Sequence, residues 1–217
     1  MSQNIFIIVC IIFVGLLIIA EYRAAKRLDS GFLKWVAKPA ASLAFVLVAL
    51  TGGALDTTYG CWILIGLVFC LLGDVFLIPT GARTFLAGMG AFAIGHLAYV
   101  GAFLSTGPEI SGLFLIGSAG MAGFAILALR WLWPNLAEFK WPVTVYSAII
   151  AIMVATSFLA APGQSSAPNW VVIAGALGFA ISDIAVSRDK FITHQFFNKS
   201  WGLPLYFGAQ LLLASSV

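Results

Sequence analysis

Two carboxyl groups stand in stretches that otherwise read as lipid-embedded helix: Asp74 in "LLGDVFLI" and Asp183 in "FAISDIAV". An ionisable side chain placed in hydrocarbon is expensive, so its presence marks a function of some kind. A single buried Asp can tie two helices together or line an ion path. Two at one level offer more: a carboxyl that keeps its proton beside one that has lost it, which is the pairing that general acid and base catalysis uses. Other apolar segments contribute His96, Tyr99, Tyr146, Tyr206 and Gln210, with Tyr22 and Lys38 nearer the segment ends. These are the candidates for binding a substrate. Each also has a plainer use: a tyrosine hydroxyl can bond a backbone carbonyl, and Lys38 can run its stem along the membrane interface.

The elements that position these groups follow from composition. Of 217 residues, 62% are hydrophobic and 9% charged, and the mean hydropathy is +1.06, far from the balance of a soluble domain. Apolar runs long enough to span a bilayer occur near residues 4–20, 38–53, 59–78, 84–105, 109–131, 141–161, 169–187 and 201–215. They are continuously apolar instead of alternating, which selects helices over a barrel. The expected fold is an all-α integral membrane protein, an eight-transmembrane-helix bundle forming one domain over residues 1–217.

All 11 Lys and Arg residues fall in alternate connections or at the segment ends that flank them, while the opposite connections carry only Asp56 and Glu109 as charges, with "APGQSSAPN" at 161–169 bearing none. By the positive-inside rule both termini face away from the cytoplasm, and the compact loops fit a bacterial inner membrane. "MSQN" lacks the basic start of a secretion signal, so the first segment is read as a retained helix. The net charge of +3 is accounted for by this basic rim and by anionic lipid headgroups, without a nucleic acid. Cys10, Cys61 and Cys70 lie in apolar runs at no metal-ligand spacing, and no metal or other cofactor is expected.

Helix rise gives a depth for each candidate. Asp74 and Asp183 lie roughly 6 Å inside the boundary, Tyr146 and Tyr206 about 8 Å, Gln210 about 14 Å and His96 about 18 Å, with Tyr99 a turn further. A ladder of polar groups descends from the basic rim. Small residues prepare close helix contacts beside it, at Gly88, Ala91, Gly95, Ala98 and Ala102 in the fourth segment and at Ala174, Gly178 and Ser182 in the seventh. "KPAASLAFV" and "KWPVTVYSAI" open the second and sixth segments, and the two Asp motifs close the third and seventh. That correspondence points to two four-helix halves with Asp74 opposed to Asp183.

"GDVFL", "GHLAY", "SDIAV" and "YFGAQ", in this order and with "KP" opening the second segment, resemble the YhhN and TMEM86 family, called lysoplasmalogenases. The resemblance spans essentially the whole chain. It implies a lysophospholipid substrate, cleaved at its vinyl ether bond to a fatty aldehyde and a glycerophospho-ethanolamine or glycerophospho-choline, with the acid pair carried by Asp74 and Asp183. Protonation of a vinyl ether passes through an oxocarbenium ion, as glycoside hydrolysis does, and two carboxyl groups suit it. Which is acid and which is base stays open, although Ser182 and Arg188 near Asp183 favour its ionised form. The lipid would place its phosphate near Lys38 and its tail along Phe92, His96 and Phe103. A proton-coupled transporter or flippase is the rival class, since buried acids and an internal repeat serve transport equally.

Overall fold

The computed structural model describes residues 2–29, 31–107, 110–159 and 169–217. Eight long helices occupy most of them: α1 Ser2–Ala25, α2 Gly31–Thr51, α3 Thr58–Phe76, α4 Ala82–Leu104, α5 Gly112–Leu132, α6 Lys140–Ser157, α7 Trp170–Phe191 and α8 Phe196–Ala214. No strand occurs among the described residues. Glu109 and residues 161–168 of the loop expected to be uncharged lie outside them.

Seven helices, α1 to α7, are long and apolar enough to cross a membrane. The chain is a multi-pass membrane protein. In α8, Asn198, Lys199 and Gln210 dilute the apolar residues. It compensates by turning polar groups inward, so that Asn198, Tyr206 and Gln210 are all buried, and it packs against α7, α1 and α2.

The helices outrun their apolar stretches at the basic end. α1 continues to Ala25 instead of stopping at 20, and α2 starts at Gly31 instead of 38. Hydropathy marks only the part in hydrocarbon, while backbone hydrogen bonding carries the helix on through the interface. There Lys34 reaches Glu21 at 2.8 Å and ties α1 to α2.

Close helix contacts form largely where small residues were expected. A methyl added to Gly95 would lie 2.9 Å from the Gly66 carbonyl, so α4 and α3 touch backbone to backbone. Ala174 is an exception. It faces outward, and Gly175 takes the contact position against Leu213 of α8. At the far end the termini converge: Gln3 Nε2 donates to the Val48 carbonyl at 3.4 Å, and the Tyr59 hydroxyl meets Ser216 Oγ at 2.6 Å.

Candidate active site

Asp74, in the last turn of α3, is 2% exposed and fully engaged. Its Oδ1 pairs with Lys38 Nζ at 3.2 Å, and its Oδ2 accepts from Ser42 Oγ and from Tyr206 Oη, each at 2.6 Å. Lys38 and Ser42 are one turn apart on α2 and so share a face. Behind Tyr206 the network continues, with Gln210 Nε2 donating to the Tyr206 hydroxyl at 3.3 Å and Tyr99 Oη donating to Gln210 Oε1 at 2.7 Å. Asp74, Tyr206, Gln210 and Tyr99 of the polar ladder thus form one connected chain, from Lys38 and Ser42 of α2 through α3 and α8 to α4.

Gly66 sets the position of Tyr99. A methyl there would run into the Tyr99 ring. Overpacking of this kind costs about 1–3 kcal/mol. Gly66→Ala is therefore expected to lower the thermal unfolding temperature in detergent and to weaken the Tyr99 to Gln210 link. An unchanged unfolding temperature would show that the ring moves freely.

Asp183 lies on α7, half-buried, with one partner: Tyr146 Oη donates to its Oδ2 at 2.8 Å. His96 Nε2 approaches the same hydroxyl at 3.3 Å. Since the Tyr146 hydroxyl donates its hydrogen bond to Asp183, its oxygen is left to accept from His96 Nε2–H, and the buried Nδ1 of His96 has no partner among the described residues. The His96 ring packs edge-on to Phe179 at 4.4 Å.

Both carboxyl groups line one cavity of about 510 Å³, together with Lys38, Tyr146 and Tyr206. No hydrogen bond or ion pair joins Asp74 to Asp183 among the described residues. Phe179 stands between their partners, edge-on to Tyr206 at 5.3 Å. Apolar side chains line it as well: Phe92 of α4, Met121 and Phe124 of α5, and Val143 and Ile150 of α6. The cavity reaches the α3–α4 and α7–α8 connections at the basic end, where Thr80, His194 and Lys199 line it.

Several sequence expectations change here. Arg188 donates to Asn198 Oδ1 at 2.7 Å and Ser182 Oγ to the Phe179 carbonyl at 2.7 Å, so neither charges nor supports Asp183. Lys38 is committed to Asp74 and is not a free cation at the rim. Among the candidate binding residues, Tyr146, Tyr206 and Lys38 line the cavity, whereas His96, Tyr99 and Gln210 stand behind its wall. Tyr22 is outside it, half-exposed and edge-on to Phe196 at 5.4 Å. The expected correspondence of "KP" with "KWP" does not extend to the ion pair, because Lys140 stacks on Trp133 at 5.1 Å and pairs with no carboxylate among the described residues, while Lys38 pairs with Asp74. Ser42 had not been singled out. Its spacing of four from Lys38 was the available signal.

Fold and site together define a helical membrane protein with two dissimilar carboxyl groups beside an apolar-walled cavity. The chain belongs to the YhhN family, whose description matches residues 33–217. It is 33% identical over 159 residues to bovine lysoplasmalogenase TMEM86A, covering 71% of this chain and 64% of that protein. Identity to the lysoplasmalogenase of Mycobacterium bovis is 29% over 164 residues, covering 71% of this chain and 59% of the other. Mouse lysoplasmalogenase TMEM86B is 30% identical over 180 residues, 82% of this chain and 72% of its own length. The match thus spans less than two thirds of the bovine and mycobacterial relatives. No solved structure matches.

Proposed function

We propose that the protein hydrolyses the vinyl ether bond of lysoplasmalogens, in a bacterial inner membrane with the basic rim cytoplasmic and α8 as the eighth span. The observation that carries this reading is the unequal pair of carboxyl groups lining one cavity, which apolar side chains of α4, α5 and α6 also line. Two lysoplasmalogenases of comparable similarity bring the substrate class.

Asp74 has the surroundings of a carboxylate: an ammonium and two hydroxyl donors. Asp183 has a single hydroxyl and no cation among the described residues, and it is the carboxyl that carries the proton. In the first step the Asp183 O–H bond breaks and its proton joins the vinyl β-carbon, leaving an oxocarbenium ion. The Asp74 carboxylate stabilises that cation across the cavity. Water then adds to the cationic carbon and returns a proton to Asp183. The hemiacetal breaks its bond to the glycerol oxygen, which takes the hydroxyl proton, and fatty aldehyde and glycerophospho-alcohol leave.

The test is to give purified protein matched 1-alkenyl and 1-acyl lysophospholipids and to measure aldehyde and fatty acid by mass spectrometry. Aldehyde from the alkenyl lipid alone is the expected outcome. No product from either lipid by folded protein would remove the hydrolase reading and favour transport.

A further inference from the structure

The geometry points to Lys190 and Lys199 as a phosphate-binding pair at the mouth of the cavity, with Asp189 as the residue that positions it; this rests on the lysophospholipid reading above. Lys38 sits at the level of the reacting bond and not at the mouth, because its ammonium lies 3.2 Å from Asp74. Lys190 and Lys199 are the other two lysines that line the cavity.

Their placement relative to the carboxyl groups is regular. Lys190 follows Asp183 by seven residues on α7, and Lys199 precedes Tyr206 by seven on α8. Seven residues are close to two full turns, so each cation shares a face with its site residue, about 10 Å nearer the rim. In a lysoplasmalogen the path from phosphorus to the vinyl β-carbon runs over seven bonds, about 8 Å when extended. A phosphate held by the two ammonium groups therefore sets the vinyl ether at the level of Asp183 and Tyr206, with the lysine stems taking up the remainder.

The mouth is organised for this. Asp189 is a half-buried carboxylate whose Oδ2 meets Lys199 Nζ at 3.4 Å and His194 Nδ1 at 3.0 Å. Its Oδ1 accepts from Asn198 Nδ2 at 3.2 Å and from the Gln195 backbone N–H at 3.3 Å. Both oxygens are taken, so Asp189 holds Lys199 in place and the mouth reads the phosphate instead of a headgroup amine. Lys190 lies over the Phe85 ring at 4.9 Å, a contact that leaves its N–H groups available to an anion.

The experiment compares kcat/KM for 1-alkenyl-glycerophosphoethanolamine with that for 1-alkenyl-glycerol, which lacks phosphate, in wild type and in Lys190→Gln/Lys199→Gln. The preference for the phospholipid is expected to fall about tenfold, through KM and not kcat, and Lys199→Arg is expected to keep it. An equal loss on both substrates, or an unchanged preference in folded protein, would overturn the proposal. Competition by inorganic phosphate at substrate concentration would overturn the assignment to a lipid-borne phosphate. If wild type cleaves no alkenyl lipid, the hydrolase reading fails by itself. Equilibrium binding of a 1-alkyl lysophospholipid, which has no vinyl bond, then tests the pair: weaker binding by the double variant supports it, and equal binding overturns it.

Discussion

Asp183→Asn is expected to lower kcat for alkenyl lysophospholipid hydrolysis by about a thousandfold, the scale of a lost general acid. The substitution is mild for the fold. An Asn carbonyl oxygen still accepts the Tyr146 hydroxyl that Asp183 accepts at 2.8 Å, and the side chain keeps its size at the cavity wall. What it lacks is a proton acidic enough to transfer to carbon. KM should change little, since the contacts proposed for tail and phosphate lie elsewhere. The check is steady-state aldehyde release, with thermal unfolding in the same detergent to establish that the variant is folded. Turnover within a few fold of wild type would remove Asp183 as the acid and leave the mechanism without a proton source.

The second large effect is on stability. Lys38→Met is expected to destabilise the protein by about 3–5 kcal/mol, because it strips the counter-ion from a carboxylate that is 2% exposed. Asp74→Asn added to it should restore most of that loss, as an amide needs no counter-charge and can still accept from Ser42 and Tyr206. Activity should not return with stability, since in the proposed mechanism Asp74 is the carboxylate that faces the cation. Thermal unfolding of the two single variants and the double variant completes a cycle. A double variant no more stable than Lys38→Met would mean that the Asp74 charge left without the ammonium at 3.2 Å is not what destabilises that variant.

The helices were readable because each apolar run had to be long enough for hydrocarbon, and that requirement leaves a trace in composition. Their ends were not, since α1 and α2 continue among Arg23, Lys34 and Glu21, where the rule no longer applies. Asp74, Asp183, Tyr146 and Tyr206 were found as polar exceptions within apolar runs, and the structure brings them to one cavity. Partnership was harder to read. Lys38 looked interfacial because its distance along the chain from Asp74 hides a contact made across two helices. Arg188 looked close to Asp183 because sequence proximity ignores that its side chain turns toward Asn198. Ser42, a small hydroxyl in an alanine-rich stretch, carries no hydropathy signal, although it donates one of the shortest bonds to Asp74.

α5 supplies Met121 and Phe124 to the cavity lining, packs mainly against α6 and buries little of its own surface. The groups around Asp74, by contrast, come from α2, α3 and α8. This stretch of the lining and the bonds to Asp74 therefore sit on separate helices, whereas α6 carries both lining residues and Tyr146. If the proposed reaction holds, substitutions along α5 reshape the length and branching of the hydrocarbon accepted without touching a single bond to Asp74 or Asp183, so such chains are free to diverge in diet while keeping one reaction.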